Sequence, residues 1–152
     1  YMVYVVRPYF SNLGKRLTKA PTVSVADSGI TTALLGIQSK NQLIGNAVFG
    51  AVWEQLVLTN ILGNFPNAEV CYYRTSNGVE MDFVVTIGEK VFAVECKTST
   101  APSVSRGTYS AIEDIKPIKT FVVAPVDSSY PLNEKVMVVT LGDLVDEFNK
   151  SM

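Results

Sequence analysis

Apolar and polar positions alternate with a period of two along three neighbouring stretches, 69–75, 79–87 and 90–98, so each reads as a β-strand. Ser76-Asn77-Gly78 and Gly88-Glu89 separate them as hairpin turns, the second of the Gly-first kind. Ahead of them, Phe49, Val52, Trp53, Leu56, Val57 and Ile61 recur at helical spacing. That spacing predicts an amphipathic helix over 46–62, ended by Gly63-Asn64, with Trp53 in the core. Beyond the strands, a polar loop at 99–103 leads to a predicted helix near 104–115, buried strands at 118–124 and 135–140, and a closing helix over 143–150. Upstream, residues 1–10 read as a strand stopped by Arg7-Pro8, Ser11-Asn12-Leu13-Gly14 as a turn, and 21–26 as a short strand. Asp27-Ser28 resembles a helix cap before 30–35, and 36–44 a linker. The expectation is an α/β domain over 45–152, a mixed sheet flanked by helices, with a small strand-rich appendage over 1–44.

The predicted strands carry charges where a core favours valine. Glu80, Asp82, Val84 and Thr86 share one face of the second, and Val91, Ala93, Glu95 and Lys97 one face of the third. A two-residue turn at Gly88-Glu89 pairs Ile87 with Lys90 and, counting outward, sets Asp82 opposite Glu95 and Glu80 opposite Lys97. Like charges so placed repel, and a half-buried carboxylate costs several kcal/mol unless paired. A divalent cation offsets both terms, and two carboxylates with a backbone carbonyl suit a hard ion such as Mg²⁺. Glu54 sits at the edge of the helix stripe with Gly50, Ala51, Val57 and Leu58 on adjoining turns, which aims it toward the Asp82 face; a solvent-facing position is its plainer reading. The bland alternative for the strand charges is an internal salt-bridge cluster on a solvated face.

Composition bounds the chemistry. The chain has 152 residues, is 47% apolar and 18% charged, and carries a net charge of −1, which fits one folded domain. With no histidine, imidazole zinc sites and Ser-His or Cys-His catalysis are excluded within this chain. The net charge offers a polyanion no strong general attraction, so any nucleic-acid contact must be local. Cys71 and Cys96 lack metal-ligand spacing and read as buried small hydrophobes, compatible with a reducing cytoplasm. No apolar run suits a membrane span and no secretory leader is evident, so a cytoplasmic setting is expected. The opening on Tyr1 reads as a fragment from which an upstream domain has been removed.

Glu54, then Asp82, then Glu95-Cys96-Lys97 resembles the core of the PD-(D/E)xK nuclease superfamily: a helix Glu, a strand Asp, and Glu-x-Lys on the next strand. More closely, KRLTKAPTVSVADSGITTALLGI, AVFGAVWEQLVLTNIL, CYYRTSNGVEMDFVV and AVECKTSTAP resemble a nuclease-like domain at the C-terminus of prokaryotic P-loop ATPases. The resemblance implies a restriction-endonuclease-like sheet and an Mg²⁺- or Mn²⁺-dependent hydrolysis of phosphodiester bonds. It implies Asp82 and Glu95 as metal ligands with the Cys96 carbonyl. Lys97 would orient or deprotonate the attacking water, and Glu54 would position the far side of the metal or a water. Met81 stands where the superfamily's name has proline. Glu80 is additional to the pattern and is placed to pair with Lys97 and quench it. No G-x-x-x-x-G-K-[ST] occurs, so no nucleotide site of that kind lies in this chain. Implied partners are the upstream ATPase domain in cis and DNA or RNA, with a homodimer as a further arrangement and no membrane.

Other polar positions keep two readings. Arg74 is either a phosphate contact or a strand-end arginine paired with Glu80 or Asp82. Lys15, Arg16 and Lys19 are either a contact for nucleic acid or an acidic partner, or a solvated turn. Ser99, Thr100 and Ser103 either meet phosphate or form turns and cap the next helix. Tyr1, Tyr4, Tyr9 and Phe10 are expected to pack a small subdomain or the ATPase. The function classes left are a metal-dependent nuclease, an inactive nuclease-like module that binds nucleic acid or a protein partner for the ATPase, and a structural oligomerisation domain.

Overall fold

The computed structural model describes residues 2–10 and 20–152. Tyr1, the 11–14 turn and the Lys15, Arg16 and Lys19 cluster lie outside the described residues. The elements are β1 (Val3–Pro8), β2 (Thr22–Val25), α1 (Ser28–Leu34), α2 (Lys40–Ile44), α3 (Phe49–Asn64), β3 (Glu69–Arg74), β4 (Glu80–Ile87), β5 (Lys90–Cys96), α4 (Arg106–Ile115), β6 (Lys119–Val123), β7 (Tyr130–Pro131), β8 (Val136–Val139) and α5 (Leu141–Ser151). The mixed α/β class and the helix–strand order expected from 45 onward are present.

The strands form one eight-stranded sheet in the order β2-β1-β3-β4-β5-β6-β8-β7. Strands β3, β4 and β5 are antiparallel; β5, β6 and β8 are parallel; β1 joins β3 in parallel through Arg7–Cys71 and Pro8–Tyr72. The N-terminal strands thus extend the same sheet at one edge. The Gly88-Glu89 turn is tight, because Ile87 pairs with Lys90 and Gly88 holds φ 61. A positive φ there strains an L-residue and not glycine, which is why a Gly-first turn matches the strand twist. Gly78 takes φ 81 in the preceding turn for the same reason.

Two layers of helix cover the sheet. α3 and α5 bury one face through Val57, Leu58, Ile61, Leu144 and Phe148, packed on Phe83, Phe92, Phe121 and their neighbours. Phe148 meets three rings edge-on, Phe92 at 4.9 Å, Phe121 at 5.2 Å and Phe65 at 5.4 Å between centroids. α4 covers part of the opposite face through Ala111 and Ile115 on Tyr73, Met81, Val84 and Ala93. Both cysteines are free: Cys71 lies inside the second cluster and Cys96 packs against the first. Tyr4 and Tyr9 pack on the sheet, whereas Phe10 is exposed.

Three local readings need correction. Residues 40–44 form α2, not linker, because the Ser39 hydroxyl accepts from the Gln42 N–H and the Gln42 side chain reaches back to the Gln38 N–H. In α3, Gln55 and Leu58 are buried while Phe49 and Leu56 are only half-buried. The stripe turned because α1 packs beside α3: Gln55 Nε2 donates to the Val25 carbonyl at 2.6 Å and to Thr31 Oγ1 at 3.0 Å. Trp53 is half-buried at the core's edge, with Nε1 donating to the Val123 carbonyl at 3.1 Å. Asp27 caps α1 as predicted, accepting from the Ile30 N–H at 2.9 Å.

α4 ends at Lys116, an exposed residue held left-handed at φ 55 and followed by Pro117. Glycine occupies such a position without steric cost. Lys116→Gly is expected to raise stability by about 0.5–1 kcal/mol, seen as a higher urea midpoint at unchanged slope. A lower midpoint would show that the lysine side chain contributes more than the backbone strain costs.

Candidate functional site

The predicted charges gather at one end of β4 and β5, and a bulge sets their geometry. Cys71 pairs with Val84 and Tyr73 with Met81, so Tyr72 alone faces both Asp82 and Phe83. The extra residue lies on β4. Strict alternation therefore fails there. Met81 and Val84 pack in the cluster under α4, and Phe83 between them packs in the cluster under α3. The β4–β5 ladder ends at Phe83–Val94. Beyond it, Asp82 Oδ2 accepts from the Cys96 N–H at 2.7 Å, doing with a side chain what a strand carbonyl would otherwise do. The Lys97 N–H turns the other way, to the Val123 carbonyl at 2.9 Å.

The register predicted from the Gly88-Glu89 turn holds along the ladder, and the ion pairs beyond its end differ from expectation. Ile87 pairs with Lys90 as predicted, and Asp82 and Glu95 are the next positions beyond the last ladder pair of that register, Phe83–Val94. Glu80 is not the ion-pair partner of Lys97: it stands opposite Arg74 on β3 and forms an exposed ion pair with it at 3.0 Å. The expected quenching of Lys97 comes from Glu95, whose Oε1 meets Lys97 Nζ at 2.6 Å.

Glu95 is 6% exposed. Its Oε1 accepts from Lys97 and, at 3.5 Å, from the Thr108 hydroxyl of α4. Its Oε2 is buried with no hydrogen-bond partner among the described residues. Burial pushes the Asp82 carboxyl up to about 7; the Glu95 charge adds to this, and the Cys96 N–H works against it. Glu54 stands on α3 at the rim, accessible to solvent yet crowded, and desolvation followed by the charges of Glu95 and Glu80 raises its carboxyl. Burial works against the Lys97 ammonium, but its bond to Glu95 and the charges of Glu95 and Asp82 outweigh that and hold its pKa above the ordinary lysine value. The Cys96 thiol is pushed well up by burial and the neighbouring carboxylates, so it is an inert neutral group.

Glu54, Asp82, Glu95 and Lys97 therefore occupy one electrostatic neighbourhood. Arg74 reaches its edge through Glu54 but is engaged by Glu80. Ser99 is exposed and accepts from the Ala101 N–H at 3.1 Å, a turn contact. The cap of α4 is Ser105, not Ser103: its hydroxyl accepts from the Thr108 N–H at 3.1 Å. Sequence reasoning passed over Thr108, although the Ser105-x-x-Thr108 spacing marks a helix start that places a hydroxyl at the third position.

The donor set admits a hard cation in a restricted form. Among the described residues no three His, Cys, Asp or Glu side chains gather to hold a metal ion. Magnesium asks less: it keeps several waters and takes one or two carboxylates. Asp82 and Glu95 supply these, and the orphaned Glu95 Oε2 is a buried lone pair that lacks a positive partner. The Cys96 carbonyl points to the same strand edge as its N–H, hence toward Asp82. No helix among the described residues is long and apolar enough to cross a membrane.

Comparison with known proteins places the chain. It is 31% identical over 144 residues to the uncharacterized proteins Rv2008c of Mycobacterium tuberculosis and Mb2031c of Mycobacterium bovis, a match that covers 95% of this chain. The chain spans 33% of the length of each of these curated relatives. Its fold is similar, at TM-score 0.50 and 14% identity, to a chain in a half-complex from a tetradecameric assembly of Thermococcus gammatolerans McrB AAA+ hexamers with bound McrC; 68% of this chain and 33% of that one superpose. Residues 49–144, from the start of α3 into α5, match the family model described as a domain of unknown function, DUF4143. The chain belongs to the DUF4143 family.

Proposed function

We propose that the end of β4 and β5 is a divalent-cation site that hydrolyses phosphodiester bonds in nucleic acid, within a protein that also carries an ATPase. The observation that carries this is the Glu95 carboxylate: one oxygen is tied to Lys97, and the other is buried with no partner among the described residues. Leaving a charged acceptor so placed costs more than a typical hydrogen bond returns, and a cation satisfies it. Asp82 and Glu95 would hold Mg²⁺ or Mn²⁺ with the Cys96 carbonyl. The ion would supply Lewis-acid polarisation and a more acidic bound water. Lys97 would hold its proton near the scissile phosphate and stabilise developing charge. Glu54, with its raised carboxyl, would position water at the rim. The ATPase association is supported by the resemblance of the four sequence blocks and by the AAA+ hexamers named in the similar assembly.

One observation favours a second reading. Lys97 is already bound to Glu95 at 2.6 Å, as in a site that has lapsed into an internal ion pair. On that reading the domain binds nucleic acid or a protein partner for the ATPase without cleaving.

Calorimetry with Mg²⁺ and Mn²⁺ separates the two. Binding is expected in the wild type and expected to vanish in Asp82→Ala and Glu95→Ala. Cleavage of single- and double-stranded DNA and RNA should then fall at least about 100-fold in Lys97→Ala, as for loss of one charge-stabilising donor. Metal binding with no cleavage of any substrate would leave the binding module standing. Absence of metal binding in the folded wild type would end the nuclease proposal.

A further inference from the structure

A cavity of about 220 Å³ opens next to this site, between α3, the β1–β2 edge and the ends of β3 and β4. Its walls are apolar and partly aromatic, from Val6, Leu58, Tyr72 and Phe83, all less than 9% exposed. The Tyr72 hydroxyl is turned away to the Ala20 carbonyl at 2.6 Å, which fixes the ring. Three carboxylates, Glu54, Glu80 and Asp82, line the cavity with one cation, Arg74, which Glu80 already engages. Thr22 and Ser24 complete the β2 side.

This lining selects by chemistry. A free phosphate is disfavoured inside the cavity by the excess of negative charge, and a base held in a duplex cannot enter it without unpairing. A neutral, flat group with N–H donors is suited on every count. Its faces would rest against Tyr72 and Phe83 as an unstacked base rests on aromatic side chains. Its exocyclic amine would donate to a carboxylate, the pairing that cytosine N4 makes with Glu or Asp.

We infer that this cavity is a subsite for one unpaired nucleobase, so that the substrate is single-stranded nucleic acid, with a cytosine-type amine preferred. The inference rests on the phosphodiester-hydrolysing site proposed above and specifies its substrate. Strand β2, within the 1–44 segment, then forms a wall of the functional site through Thr22 and Ser24. Gln55 holds that wall to α3, one residue from Glu54.

Ala51 lies exposed on α3 and lines the cavity, so Ala51→Trp fills it from the helix surface. Fluorescence anisotropy on the full chain, in Mg²⁺-free buffer to prevent cleavage, would compare labelled oligo(dC), oligo(dT) and a duplex of equal length. Oligo(dC) is expected to bind at least tenfold more tightly than the duplex. Ala51→Trp is expected to reduce its affinity to the duplex level while the far-UV melt is unchanged. Should the tryptophan disturb folding, Ala51→Leu gives the same direction with a smaller loss. Equal affinity for duplex and single strand, or single-strand binding within twofold of wild type in a folded variant, would overturn the inference. So would failure of every oligonucleotide to bind. Mg²⁺ calorimetry on the same samples tells the two proposals apart: metal binding that persists while the base preference is absent removes only the base subsite, and loss of both removes the nuclease site with it.

Discussion

Raising the pH of the metal-free protein from 4 to 8 is expected to cost Asp82-dependent stability of about 3–4 kcal/mol, and Asp82→Asn is expected to abolish that loss. The Asp82 carboxyl is raised from 3.8 to about 7 by burial first and the Glu95 charge second. The folded state therefore holds this proton more tightly than the unfolded chain does. Below the unfolded value both states are protonated and the group is without effect. Between that value and about 7 only the unfolded chain ionises, so unfolding becomes easier with each unit of pH. Above about 7 the folded carboxyl ionises too, and the penalty stays at its full size. Glu147 runs the opposite way: its bonds to Lys150 and Lys119 hold its carboxyl low, so its contribution is lost toward acid. The difference between wild type and Asp82→Asn isolates the one group from the other. Urea midpoints at pH 4, 6 and 8 would measure it. Parallel profiles for the two proteins would show that the Asp82 proton is not held as described. Millimolar Mg²⁺ should flatten the wild-type profile, because an ion bound to the carboxylates replaces the proton.

Phe148→Ala is expected to destabilise the domain by about 4 kcal/mol, which for a chain of this length lowers the melting temperature by roughly 10–15 °C. The ring is fully buried and touches Phe65, Phe92 and Phe121 edge-on. Its removal costs the transfer energy of the side chain, the cavity left behind and the edge contacts, which are worth about 0.5–1.5 kcal/mol each beyond area. Phe148→Leu keeps most of the volume and should cost about half as much. A loss below about 1 kcal/mol in Phe148→Ala would mean that α5 docks on the sheet mainly through Leu144, or that α3 and the sheet close over the gap.

Much of the fold is legible in the chain because it is written in local periods. Strands β3, β4 and β5 announce themselves by alternation and by turns whose glycines must take positive φ. Helix α3 is announced by its apolar spacing and α1 by the Asp27 cap. The short α2 escaped because five residues cannot show a helical period, and only its Ser39 and Gln42 side chains mark it. The candidate site was legible as a list of residues: Glu54, Asp82, Glu95 and Lys97 do approach one another. Its wiring was not. EMDFVVTI fits an unbroken strand as well as a bulged one, and the bulge is set by pairing with β3, which the stretch itself does not specify.

The sequence by itself determined the element order, the hairpin turns, the absence of imidazole chemistry and the concentration of carboxylates near the end of β4 and β5. These follow from neighbours in the chain, where spacing alone sets which side chains meet. Only the tertiary structure decided that Glu80 takes Arg74 while Lys97 takes Glu95, that Asp82 bonds the Cys96 N–H beyond the last β4–β5 pair, and that β2 walls the adjacent cavity. Each of those choices lies between partners of similar intrinsic strength. Burial, packing against α3 and α4, and the order of strands in the sheet separate them, and none of these is a property of a short stretch of chain.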